Sequence, residues 1–166
     1  MSSPRAKGAT GGARDDAIIT RELDVPRERV FRRLTDPSIA ARVWGPEGSL
    51  KHVFEPDPRP GGAIRIHDGN PPDTVMAKTT GTITEFVAPS RFAFRSATTF
   101  EDGTPPFEAL PSVDLLARGP GRTRVTIRVK VLALGAFPGS TDELEGGIQG
   151  GWGQTLDLLQ REASKA

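Results

Sequence analysis

Between residues 50 and 132 the apolar side chains recur at every second position, and the run is interrupted at intervals by clusters of Pro, Gly, Asn and Asp. A period of two sends successive side chains to opposite faces of an extended strand. Strands are therefore expected at Lys51–Asp57, Ala63–Asp68, Val75–Val87, Arg91–Thr99, Phe107–Ala117 and Arg122–Leu132. The punctuation between them is Pro58-Arg59-Pro60-Gly61-Gly62, Asp68 to Asp73, Ala88-Pro89-Ser90, Glu101 to Pro105 and Arg118-Gly119-Pro120-Gly121. Connections this short join antiparallel neighbours, because a parallel pair needs a crossover of about a dozen residues or more. In the clearest strand Val125, Ile127, Val129 and Val131 share one face, and Thr126, Arg128 and Lys130 share the other. One face of the sheet is thus apolar and must be covered.

The flanking segments supply the cover. Residues 17–25 read as a further strand. Pro26 opens a helix whose Val30, Phe31 and Leu34 lie on one side. Thr35-Asp36-Pro37 ends it and starts a second short helix over Ser38–Val43, with Asp36 as its cap and Ile39 and Val43 as its apolar side. Val43-Trp44-Gly45-Pro46 breaks that helix. Towards the C-terminus Ser140 and Glu143 fit a capping box, and Ile148, Trp152, Leu156, Leu159 and Ala163 form one stripe of a long helix. Gly146, Gly147, Gly150, Gly151 and Gly153 weaken it by about 1 kcal/mol each relative to Ala, so the helix is loose there, bent, or closely approached by another backbone. Residues 1–15 bury nothing and read as a disordered tail, leaving one domain over 16–166. The tail's Arg5, Lys7 and Arg14 read as a solvated leader, with weak docking to an anionic surface as the other reading.

Composition removes whole classes of chemistry. The chain has no Cys and no Tyr and two His, so thiolate sites, disulfides, Tyr acid–base chemistry and a three-histidine metal site are excluded. Its 22 basic and 21 acidic residues nearly cancel, which argues against an electrostatic nucleic-acid binder. No run reaches the roughly 20 apolar residues of a membrane span, and no secretory leader stands at the N-terminus. A cytoplasmic protein is expected, and the Arg-, Ala-, Gly- and Pro-rich composition suggests a bacterial one.

The element order is strand, two short helices, six antiparallel strands and a C-terminal helix. That order resembles the α+β helix-grip fold of the START-like superfamily, also called SRPBCC or Bet v 1-like, with a curved antiparallel sheet of about seven strands. Four segments resemble the Hsp90-ATPase-activator-homologue (AHSA1-like) group within it. They are Pro26-Arg27-Glu28-Arg29-Val30-Phe31, then Thr35-Asp36-Pro37 with Val43-Trp44-Gly45-Pro46, then Asp57 with Arg59-Pro60-Gly61-Gly62, and Gly151-Trp152 ahead of Leu156 and Leu159. Two departures stand out. The group's two-tryptophan pattern is reduced to Val43-Trp44-Gly45, and the segment before Trp152 is unusually glycine-rich.

The resemblance implies a cavity between the C-terminal helix and the sheet. Its candidate lining is Phe31, Leu34, Trp44, Ile64, Ile66, Phe92, Phe94, Trp152 and Leu156. Trp44 and Trp152 either wall a pocket or fill the core, and Ile39, Val113, Leu115, Val125 and Ile127 read as core on the same inner face. Asp57 and Arg59 read as a fixed turn, with the carboxylate taking local N–H groups, rather than as a polar pair at a pocket mouth. His67 alternates away from Ile64 and Ile66 and is expected to be exposed, whereas His52 lies in a strand without clean alternation. Arg65 and Arg95 fall opposite the apolar faces and are expected to pair in solvent; inside the cavity, they and Glu85 and Glu108 would be its charges. Arg27, Arg29, Arg32 and Arg33 read as a solvated helix face, with partner docking as the alternative. No metal-ligand spacing, phosphate-binding loop or nucleophile elbow is present.

The expected activity is binding of a small, mostly apolar ligand, with no catalytic residue and no cofactor assigned. Two other classes stay open. One is a cyclase-, hydratase- or aromatase-like enzyme of the superfamily, which would need a polar group facing the cavity. The other is a protein-interaction module, as in the eukaryotic Hsp90 activators. A homodimer through the sheet edge or an exposed helix face is left open as well.

Overall fold

The computed structural model describes residues 17–41, 43–44, 50–70, 74–103, 106–134 and 152–161. The chain runs β1 (Ala17–Leu23), α1 (Arg27–Thr35), α2 (Pro37–Ala40), β2 (Leu50–Pro56), β3 (Ala63–Asn70), β4 (Thr74–Val87), β5 (Arg91–Phe100), β6 (Phe107–Ala117) and β7 (Thr123–Leu134). A helix over 152–161, α3, follows. Every expected strand is present to within two residues at either end. The expected tail, the Gly45-Pro46 break, the Ser140/Glu143 box, Ile148, Ala163 and the glycines at 146, 147, 150 and 151 lie outside the described residues, as does the side chain of His52.

The seven strands form one sheet in the order β1-β7-β6-β5-β4-β3-β2, antiparallel throughout. Strands β2 to β7 are a meander, since each turn is too short to do anything but reverse the chain. The first strand docks on the last, Ile19 opposite Ile127 and Leu23 opposite Thr123. At that seam the buried Thr123 hydroxyl donates to the Val25 carbonyl at 2.7 Å.

Pro26 caps α1 without a side-chain bond, and Val30, Phe31 and Leu34 form its buried side. Asp36 caps α2, accepting from the Ser38 amide at 3.0 Å and the Ser38 hydroxyl at 2.8 Å, with Pro37 at the first turn. These bonds hold the Asp36 carboxyl below its ordinary range. Expected over Ser38–Val43, α2 instead ends at Ala40, whose carbonyl accepts from Val43 and Trp44 in a closing turn. In α3, Leu156 and Leu159 are buried on the stripe that the helical period predicts, and Thr155 is buried beside them. Arg21 of β1 pairs with Asp157, and the Asp24 amide donates to Gln160 Oε1 at 3.2 Å, so α3 is tied to β1 at its exposed flank.

A single apolar core lies between the inner face of the sheet and the helices. Ile64, Ile66, Phe92, Phe94, Val113, Leu115, Val125, Ile127 and Val129 are the sheet's share, and Val30, Phe31, Leu34, Leu156 and Leu159 are the helices'. Each fully buried side chain of this size contributes about 1.5–3 kcal/mol.

One irregularity decides what the inner face carries. Ile83 pairs with Phe94, but Glu85 pairs with Ala93 and Phe86 with Phe92, so one extra residue bulges into β4 after Ile83. A bulge of one residue moves everything beyond it to the opposite face. Phe86 therefore turns inward, while Glu85 and Val87 turn out and are exposed.

Candidate functional site

Seven aromatic rings make one continuous chain through the core. Phe86 meets Phe31 edge-on at 5.2 Å between centroids, Phe31 meets Phe92 at 5.9 Å, and Phe92 stacks on Phe94 at 6.3 Å. Phe94 then stacks on Trp44 at 5.4 Å. Trp44 in turn contacts Phe54 at 5.9 Å and Trp152 of α3 at 6.5 Å. Trp44 is held by its indole N–H, which donates to the Leu34 carbonyl at 3.0 Å. That carbonyl stands in the last turn of α1, where main-chain acceptors lack helical partners. The indole thus closes a helix end and keeps its ring edge inside.

A small cavity of about 20 Å³ opens beside this chain of rings. Leu34 and Thr35 of α1 form one wall with Trp44, and Pro56 and Pro58 form its rim. Ile64, Ile83, Phe86, Phe92 and Phe94 are its floor. Nine of these ten residues are apolar, so the lining offers contact area and a single hydroxyl, which is already committed to the Phe31 carbonyl at 2.8 Å. Space for one water needs about 10–15 Å³, and ordinary ligand pockets measure about 300–1,000 Å³. This opening therefore holds about one water and is far smaller than an ordinary ligand pocket.

The rim is fixed by its turn. The Gly61 amide donates to the Ile83 carbonyl at 2.8 Å, and the Ile83 amide returns a bond to the Gly62 carbonyl at 2.8 Å. Gly61 has φ +80°, and a Cβ on Gly62 would stand 1.9 Å from the Asp57 carbonyl oxygen. The Asp57 carboxylate does not take local N–H groups, as the sequence suggested. It accepts from Arg59 Nε at 2.8 Å, and the backbone satisfies itself.

Of the nine residues expected to line a cavity, Leu34, Trp44, Ile64, Phe92 and Phe94 do so. Phe31 supports the lining from behind through Phe86 and Phe92, and Trp152 does the same through Trp44. Ile66 and Leu156 are buried core residues away from this opening. The expected lining lacks Thr35, Pro56, Pro58, Ile83 and Phe86. Ile83 was legible from alternation alone, whereas Phe86 is brought in by the bulge.

The charges weighed as cavity groups sit on the outer face. Arg65 pairs with Glu55 at 2.8 Å and Arg95 with Glu108 at 3.2 Å. Arg91 reaches Glu85 at 2.6 Å through Nε and both Asp114 oxygens at 2.9 and 2.8 Å through Nη1. The hydrogen bond from Arg91 holds Glu85 below its ordinary carboxylate range, and the same contacts raise Arg91. His67, expected to be exposed, is half-buried. Among the described residues no three His, Asp or Glu stand close enough together to hold a metal ion, and no helix is long and apolar enough to cross a membrane.

The model of the family described as activator of Hsp90 ATPase homolog 1-like protein matches residues 24–164. The chain belongs to this family. Solved structures share its fold. Protein CV1439 from Chromobacterium violaceum is 23% identical, with 90% of this chain and 96% of that one covered and a TM-score of 0.71. A putative uncharacterized protein from Rhizobium leguminosarum is 20% identical, with 90% and 93% covered and a TM-score of 0.71. Mll3558 from Rhizobium loti is 23% identical, with 87% and 94% covered and a TM-score of 0.69. No curated protein matches the chain. At these identities the likeness speaks for the fold alone: a seven-stranded antiparallel sheet with three helices, the last at the C-terminus. Family membership places this chain among START-like domains.

Proposed function

We propose that this family member binds a small, mostly apolar molecule between its C-terminal helix and its sheet. The observation that supports the reading is a connected set of seven rings that links Trp152 of the C-terminal helix, through Trp44, to a rimmed opening between α1 and the sheet. A core that needed only stability could be filled with aliphatic side chains. Here seven of the ten aromatic residues in the whole sequence are gathered along one line. Aromatic faces give large contact area at low cost in side-chain entropy, which suits an apolar guest. At about 20 Å³ the cavity admits such a guest only when a wall yields. Trp44 is the wall best placed to yield: it is half-buried, follows the closing turn of α2, and beyond its ring contacts its side chain makes one hydrogen bond.

The test is native mass spectrometry of the purified protein, followed by a thermal-shift screen of apolar compounds. A co-purified small molecule, or a melting temperature that rises with the logarithm of ligand concentration, supports the reading. Trp44→Ala and Trp152→Ala should keep the fold and change ligand affinity. An empty protein whose melting temperature ignores every apolar compound would overturn it.

A further inference from the structure

The inner face of the sheet is not uniformly apolar. Beyond Ile64 and Phe94, its rows change character. Ile64 pairs with Gly81, and Gly81 with Ser96. In the next row Ile66 pairs with Thr79, and Thr79 with Thr98; the two hydroxyls hydrogen-bond at 2.8 Å. In the row after that Asp68 pairs with Ala77. The register of β3 on β4 is regular from Ala63 to Asp68, so Asp68 stands on the same face as the buried Ile64 and Ile66. The spacing ends this strand at Asp68, where the turn residues begin. The strand runs on to Asn70 instead, which keeps this carboxylate in the ladder.

Three features make this strip a floor and not a filled core. Its central positions are small: Ala77 and Gly81 of β4, with Ser96 beside them on β5. Gly81 has to be glycine, because a Cβ there would stand 2.1 Å from the Arg95 carbonyl oxygen, and so the floor is low at that point. Ala77, Thr79, Gly81 and Thr98 are only half-buried, although they point to the inner side. Ser96 is 8% exposed, and among the described residues nothing hydrogen-bonds its hydroxyl.

On this basis we propose that the ligand is amphiphilic: an apolar body lies against Phe94, Ile64 and Trp44, and a hydrogen-bond donor, an amine or an alcohol, lies over the strip of Ser96, Thr79, Thr98 and Asp68. Rows along a strand are about 6.8 Å apart, so a ligand reaching from the Phe94 row to the Thr98 row extends over about two such steps. A carboxylate accepts about four hydrogen bonds, so Asp68 can serve a ligand donor alongside the interaction it already makes. The same charge disfavours an acid at that position. The proposal rests on the pocket reading above and adds to it the polarity and sign of the ligand's far end.

The test uses four probes with one phenylbutyl body: butylbenzene, 4-phenylbutan-1-ol, 4-phenylbutan-1-amine and 4-phenylbutanoate, titrated at pH 7 by calorimetry or tryptophan fluorescence. The amine and the alcohol are expected to bind about tenfold or more tighter than the acid. Asp68→Asn should remove the advantage of the amine and leave butylbenzene unchanged. Thr98→Val, which keeps the side-chain shape, should weaken the alcohol and not the hydrocarbon. If all four probes bind within about twofold of one another, or if Asp68→Asn leaves the order intact in a folded protein, the head-group assignment fails while the pocket stands. If a folded protein binds none of them, the pocket reading fails and takes this inference with it.

Discussion

Replacing Phe94 by Ala tests whether the rings are a packed wall. Phe94 is 4% exposed and lies between Trp44, at 5.4 Å, and Phe92, at 6.3 Å. Removing the ring forfeits its transfer free energy, about 1.5–3 kcal/mol. It also leaves a void next to the existing cavity of about 20 Å³. If the walls hold, the residual void is about 100 Å³, which at about 24 cal/mol per Å³ adds about 2.4 kcal/mol. The expected loss is therefore about 4–5 kcal/mol, read as a lower urea midpoint with an unchanged slope. For a chain of this length each kcal/mol moves Tm by about 2–4 °C, so the melting temperature should fall by about 8–20 °C. Enclosed apolar voids of about 150 Å³ take up benzene. Benzene or indole should accordingly restore part of the lost stability in Phe94→Ala and do little to the parent protein. A loss under about 1.5 kcal/mol, with no rescue by either compound, would refute the argument, because it would mean that the rings are loosely held and that the space collapses without cost.

Thr123→Val should cost about 1–3 kcal/mol in urea unfolding, because it strips the Val25 carbonyl of its buried partner; Thr123→Ser should recover most of that. Gly62→Ala forces a Cβ to within 1.9 Å of the Asp57 carbonyl and should destabilise by about 2–4 kcal/mol, measured by thermal melting; a neutral result would deny the rim turn its described shape. Glu85 has a carboxyl held below its ordinary value of 4.5 by the Arg91 hydrogen bond. Its contribution to stability is therefore present in full above about pH 4.5 and fades as the pH falls through the lower folded value. Urea midpoints measured from pH 7 down to pH 3 should fall more steeply for the parent protein than for Glu85→Gln, and equal slopes would contradict this.

Much of this molecule could be read before it was seen. All seven strands, both short helices and the Asp36-Pro37 helix start follow from spacing and turn residues, because those signals are local. Ile64 with Ile66 and Phe92 with Phe94 were assigned to an inner face because period two leaves no other choice within an unbroken strand. The candidate site was legible only in part. Strand alternation and helical spacing place Leu34, Ile64, Phe92 and Phe94 inside, but they treat Ile66 and Leu156 as equals of these, and nothing in the spacing says which buried residue borders an opening.

Local pattern alone specified the set of elements, the antiparallel succession of β2 to β7 and the identity of the apolar face. Hydrophobic period and short turns act over a few residues and need no distant partner. Three matters were decided only in the tertiary structure. The β4 bulge after Ile83 turns Phe86 in and sends Glu85 out to Arg91, and its place depends on how β4 registers against β5. The docking of β1 on β7 pairs residues 17–23 with residues 123–129, which no local signal specifies. Finally, the opening beside the rings is small where Trp44, anchored on the Leu34 carbonyl, stacks on Phe94. How tightly side chains from distant segments interdigitate is set by volumes and angles that come together only in the folded chain.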